Sequence, residues 1–131
     1  MAGNHILIAD DEKDVLDTLV RIVQTLAEGA VVYRAENGEQ ALDVYQQHKG
    51  DIGLVILDEQ MPRMGGYETT KRIRTIDEYI PIVIQSGTAN AEEARRHGAT
   101  EFLPKPYGLE ALTAVIERYL PGISSPAQSQ S

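Results

Sequence analysis

The sequence predicts a single α/β domain, a doubly wound parallel sheet with helices on both faces. Short apolar runs alternate five times with segments of helical spacing. Most of those runs are contiguous rather than alternately apolar and polar, the pattern of strands buried on both faces. The chain has 131 residues, 42% of them hydrophobic and 24% charged, enough for one such domain and too few for a second.

The first run, Ile6 to Ala9, leads into a helix whose apolar stripe is Leu16, Leu19, Val20, Val23 and Leu26. Val15 and Ile22 lie beside that stripe and widen it beyond what packing on a sheet needs. The second run, Val31 to Ala35, precedes a more polar helix over Gly38 to His48. The third, Leu54 to Leu57, precedes a turn at Gly65-Gly66 and a helix over Gly66 to Arg74, whose Lys71, Arg72 and Arg74 read as a solvated face. The fourth, Ile82 to Ile84, precedes a helix over Ala89 to His97, with His97 favourable at the helix end and Gly98 at the C′ position. The fifth, Phe102 to Leu103, precedes a last helix with the stripe Leu109, Leu112, Ile116 and Leu120. After Leu120 the composition changes to Pro, Gly, Ser, Ala and Gln with no charge. The domain therefore spans 1–120, and 121–131 reads as a disordered tail or linker.

Twelve Lys and Arg against twenty Asp and Glu give a formal net charge of −8, which argues against direct nucleic-acid binding, because phosphate neutralisation needs a basic surface. The absence of cysteine excludes disulfides, thiolate metal sites and cysteine nucleophiles. No apolar run approaches the roughly 18 to 20 residues of a membrane span, and the first residues lack a signal peptide's pattern. A cytoplasmic protein without membrane insertion is expected.

In open parallel sheets ligands sit beyond the carboxyl ends of the strands. The residues there are polar: Asp10-Asp11 after the first run, Asp58 after the third, Ser86-Gly87 after the fourth and Lys105-Pro106 after the fifth. Singly, each has a plain explanation as a helix cap, a turn residue or a solvated charge. Together they do not, because right-handed crossovers bring all these strand ends to one edge. Two carboxylates about 4 Å apart repel by about 4 kcal/mol at an effective dielectric near 20, so the cluster should protonate or hold a cation. Hard oxygen donors in a small open site that keeps several waters select Mg2+. With a phosphoryl donor present, one carboxylate can attack phosphorus while Mg2+ and the lysine neutralise the phosphoryl oxygens and the hydroxyl donates to one of them.

Asp10-Asp11-Glu12, Leu57-Asp58-Glu59-Gln60-Met61-Pro62, Ser86-Gly87 and Phe102-Leu103-Pro104-Lys105-Pro106 together resemble the receiver domain of two-component response regulators, from about His5 to Leu120. The resemblance implies a flavodoxin-like sheet of order 2-1-3-4-5 and a phosphoacceptor at Asp58. It implies Mg2+ bound by Asp11, Asp58 and the main-chain carbonyl of Gln60, with Asp10 acting through water. Ser86 and Lys105 would contact the phosphoryl group, Phe102 would be the switch aromatic, and the Lys105-Pro106 bond would be cis. The implied partner is a histidine kinase or histidine phosphotransfer protein, with an output domain attached or separate, and the domain would catalyse only its own phosphorylation and dephosphorylation. Ser86 stands where Thr is commoner, and the stretch from Ser86 to Gly98 is about one helical turn shorter than in most members. Both features look most like receivers attached to hybrid histidine kinases. Gln60 and Thr88 fall where members tune dephosphorylation. Glu59 adds a carboxylate whose side chain, by strand alternation, should point away from that of Asp58.

Two other functions fit parts of this pattern. A Mg2+-dependent phosphohydrolase usually carries D-x-D after its first strand, which the adjacent pair Asp10-Asp11 does not match. A phosphorylation-independent interaction module would keep the acidic site as a relic. A flavin carrier is disfavoured because no phosphate loop follows Ala9, and Gln85-Ser86-Gly87 lacks the glycine of a nucleophile elbow.

Overall fold

The computed structural model describes residues 3–120, so the expected tail at 121–131 lies outside the described residues. Ten elements alternate along the chain: β1 (His5–Ala9), α1 (Lys13–Leu26), β2 (Val32–Ala35), α2 (Gly38–His48), β3 (Ile52–Asp58), α3 (Gly66–Arg74), β4 (Ile82–Ser86), α4 (Ala91–Arg96), β5 (Glu101–Pro104) and α5 (Leu109–Tyr119). The strands form one parallel sheet in the order β2-β1-β3-β4-β5, the order the resemblance implies. All seven residues of the central β3 are buried, whereas the edge strands β2 and β5 carry exposed or half-buried positions such as Arg34 and Glu101. Charge at an edge discourages pairing with another chain.

Strand alternation divides the interior into two cores. Ile6 and Ile8, Leu54 and Ile56, Val83 and Leu103 face α1 and α5. Leu7 and Ala9, Val55 and Leu57, Ile82 and Ile84 face the opposite layer, with Ala41, Tyr45, Ile73 and Ala94 from α2, α3 and α4. On α1 the buried residues are the five of the expected stripe. On α5 the packing differs from expectation. Leu109 opens the helix and remains 58% exposed, and Val115 joins Leu112, Ile116 and Leu120 in the core.

The helix expected over Ala89 to His97 contracts to Ala91–Arg96. Residues 86–90 are taken up by a turn in which Ser86 Oγ accepts from the Thr88 and Ala89 N–H groups, and Asn90 then caps the helix by accepting from Glu93 N–H at 2.8 Å. Gly98 takes the expected positive φ, at 102°. Arg74 is not on a solvated face. Its guanidinium donates to the carbonyls of Gly98 at 2.8 Å and Ile80 at 2.7 Å, and to Thr100 Oγ1 at 3.2 Å, tying α3 to the loops before β4 and β5. At the start of α3, a Cβ on Gly66 would sit 2.4 Å from the Asp58 carbonyl oxygen, so only glycine lets that helix begin against the end of β3. Among the described residues, no helix is long and apolar enough to cross a membrane.

Candidate functional site

Parity along the strands decides which side chains meet at the carboxyl edge. Asp10 continues the Ile6, Ile8 series, Asp58 the Leu54, Ile56 series and Lys105 the Leu103 position, so all three belong to the α1 and α5 side of the sheet. Lys105 Nζ lies 3.2 Å from Asp58 Oδ2 and 3.6 Å from Asp10 Oδ2. Asp10 is fully buried, and its oxygens accept from Glu12 N–H at 2.9 Å and from Gln85 Nε2 at 3.2 Å. Asp58 is 6% exposed and accepts from Gln60 N–H at 3.4 Å. Asp11 faces solvent, yet it offers a carboxylate oxygen within 4.8 Å of oxygens from both other aspartates. Above them opens a cleft of about 300 Å³ lined by Asp11, Asp58, Gln60, Ser86, Thr88 and Lys105 among others. The helix-cap explanation for Asp10 and Asp11 fails, since the N-cap of α1 is Glu12 and no side chain caps the helix.

Burial, and then the Asp10 carboxylate, push the Asp58 carboxyl up to about 6, against the smaller opposing pull of Lys105. Burial alone would lower the Lys105 ammonium, but Asp58 and Asp10 outweigh it and raise its pKa. Three hard oxygen donors, one of them open to water, fit Mg2+ in size and charge.

The raised Asp58 carboxyl makes a stability prediction. Between the unfolded value near 4 and the folded value of about 6 the native state binds the extra proton, so stability falls as pH rises through that window. In metal-free buffer at pH 7, Asp58→Asn removes the buried charge. Its stability relative to wild type should be greater at pH 7 than at pH 4, by roughly 2 to 3 kcal/mol. Denaturant unfolding of both proteins at the two pH values checks this, and a constant difference contradicts it.

Ser86 belongs to the other parity. It follows Ile82 and Ile84 on the α3 and α4 side, the side to which alternation sends Glu59. Asp58 pairs with Gln85 in the β3–β4 register, so Glu59 comes level with Ser86. Ser86 Oγ donates to Glu59 Oε1 at 2.7 Å, and Thr88 Oγ1 donates to the same oxygen at 3.3 Å. The pattern of strand-end residues does not single out Gln85. Fully buried on β4, it donates to Asp10 and accepts from the Tyr107 hydroxyl. The available signal was a polar side chain ending the apolar run Ile82-Val83-Ile84. Phe102 is half-buried against the α2, α3 and α4 core and does not line the cleft. The Lys105-Pro106 bond is cis.

A parallel doubly wound sheet gathers three aspartates and a lysine at its carboxyl edge, an arrangement able to accept a phosphoryl group. The chain belongs to the response regulator receiver domain family, whose model matches residues 6–117. It is 32% identical over 124 residues to sporulation initiation phosphotransferase F of Bacillus subtilis (strain 168), covering 92% of this chain and 97% of that protein. Other curated relatives are longer, and the chain spans 26% or 47% of their length. Among solved structures, a response regulator receiver domain protein from Clostridium thermocellum superposes with a TM-score of 0.81 at 27% identity, covering 88% of this chain and 93% of that one. CheY in the CheX–CheY–BeF3–Mg2+ complex of Borrelia burgdorferi gives 0.79 at 25% identity, covering 87% of each chain.

Proposed function

We propose that Asp58 takes a phosphoryl group from the phosphohistidine of a histidine kinase or histidine phosphotransfer protein. The observation that carries this is Asp58 held 3.2 Å from Lys105 beside the carboxylates of Asp10 and Asp11. An Asp58 carboxylate oxygen forms the new bond to phosphorus as the phosphorus–nitrogen bond of the donor breaks, and the departing imidazole nitrogen takes a proton from solvent. Asp11, Asp58 and the Gln60 carbonyl would hold Mg2+, with Asp10 acting through water. When bound, the ion would supply positive charge against the carboxylates and phosphoryl oxygens. Lys105 neutralises one phosphoryl oxygen and Ser86 donates to another. Phe102 reports the change as the switch aromatic, in a shift of population between two conformations. Likeness to a CheY bound with BeF3 and Mg2+ supports the metal and the acceptor site.

The chain acts in the cytoplasm as a receiver domain, with its output domain attached or separate. Likeness to a phosphotransferase supports a place in a phosphorelay. The six-residue α4 and the Ser86-Gly87 pair support the narrower likeness to receivers of hybrid histidine kinases.

The donor docks along α1 and the loop after Lys105. Val15 is 39% exposed and, with Leu19 and Ile22, lines an apolar groove of about 330 Å³. A second hollow of about 370 Å³ joins Val15 to Pro106 and Tyr107, so the apolar strip runs towards the site. Ile22→Glu should slow transfer from a phosphorylated kinase about tenfold, the effect of losing about 1.4 kcal/mol of docking energy. Labelling by acetyl phosphate should stay at the wild-type rate, since the small donor needs no docking surface. If both donors slow together, this edge of α1 is structural; if neither does, the kinase docks elsewhere.

A further inference from the structure

A neutral hydroxyl has one proton to donate, and that of Ser86 is already committed. It goes to Glu59 Oε1 at 2.7 Å, while the oxygen accepts the N–H groups of Thr88 and Ala89 at 3.0 Å each. The acceptor is a carboxylate oxygen, which makes the bond one of the stronger kind. The arrangement follows from register: Asp58 pairs with Gln85, so the next residue of each strand end, Glu59 and Ser86, lies on the same side of the sheet. A phosphoryl group on Asp58 requires that same proton, and Ser86 cannot donate it to two acceptors on opposite sides of the strand end.

Resting on the reading of Asp58 as phosphoacceptor, we infer that Glu59 is a competitor for the Ser86 hydroxyl: it holds Ser86 in the unphosphorylated chain and must release it before the phosphoryl group gains its hydrogen bond. Glu59 thereby weakens the phosphorylated state by the strength of the bond it gives up, and sets how readily the domain is charged. It acts through Ser86 and is a positioning residue. Thr88, whose hydroxyl also donates to Glu59 Oε1 at 3.3 Å, belongs to the same latch.

Beryllofluoride with saturating Mg2+ tests this as a phosphoryl mimic, with affinity measured by calorimetry for wild type, Glu59→Ala and Glu59→Gln, each with Ser86 and with Ser86→Ala. Circular dichroism confirms that every variant is folded. Loss of a hydrogen bond to a charged group predicts that Glu59→Ala binds the mimic about tenfold tighter than wild type. In the Ser86→Ala background the same substitution should change affinity less than about twofold, because no hydroxyl remains to be released. Glu59→Gln keeps an acceptor without the charge and should fall between wild type and Glu59→Ala. An equal gain in both backgrounds means that Glu59 acts by charge repulsion alone and overturns the latch, as does the absence of any gain. Failure of every variant, wild type included, to bind beryllofluoride overturns the phosphoacceptor reading itself, and this inference with it.

Discussion

Incubated with phosphoramidate or acetyl phosphate and Mg2+, the wild-type chain gains one phosphoryl group, and Asp58→Asn gains none. The expectation rests on nucleophile supply. Three carboxylates meet at the site, but Asp10 is fully buried with both oxygens occupied by hydrogen bonds, and Asp11 is exposed and, among the described residues, forms no ion pair with a lysine or arginine. Asp58 alone combines an opening on the cleft with an ammonium 3.2 Å away to receive developing charge. Asparagine has the same shape and no carboxylate, so it removes the chemistry and leaves the packing. Intact mass spectrometry reads the result, and omission of divalent metal should also abolish it. Labelling of Asp58→Asn to the wild-type extent sinks the assignment. No labelling of wild type favours the interaction module, and repeated turnover of a phosphomonoester favours the phosphohydrolase.

Lys105→Met should slow that labelling by about 100-fold while tightening Mg2+ binding. Removing a preorganised cation from a site where negative charge develops costs on the order of 100-fold or more in rate. The opposite sign for the metal comes from the same pair of contacts. Lys105 neutralises Asp58 at 3.2 Å and Asp10 at 3.6 Å, and its loss leaves the carboxylates with more uncompensated charge for Mg2+ to satisfy. Rates from phosphoramidate and Mg2+ titrations by calorimetry check both halves. A variant that binds Mg2+ more weakly than wild type would show that Lys105 organises the carboxylates instead of opposing the metal.

The sequence carried most of the α1 and strand assignments because periodicity is a property of contiguous residues. Leu16, Leu19, Val20, Val23 and Leu26 form one stripe whatever they pack against, and contiguous Ile, Leu and Val runs this short, ending at polar residues, suit strands covered on both faces. It was weaker where one side chain rewrites a local pattern. Ser86 binds the Thr88 and Ala89 amides and delays α4 to Ala91, a competition between side chain and backbone that helical spacing does not register. Arg74 looked like one more charge on a basic helix face because its carbonyl partners, Gly98 and Ile80, come from loops far along the chain or on the other side of a turn.

By itself the sequence determined the fold class and the acidic site, since alternating strands and helices with right-handed crossovers oblige residues after successive strands to gather at one edge, while the family rested on the resemblance of the motifs there. Asp10, Asp11, Asp58, Ser86 and Lys105 are legible on that ground alone. Only the tertiary structure decided how these residues are paired. The β3–β4 register brought Glu59 level with Ser86, and the path of the chain after Lys105 brought the Tyr107 hydroxyl to Gln85 beneath Asp10. Register and loop path are set by packing between residues distant in sequence, and a hydrogen bond depends on separations of a few tenths of an ångström that no one-dimensional pattern encodes.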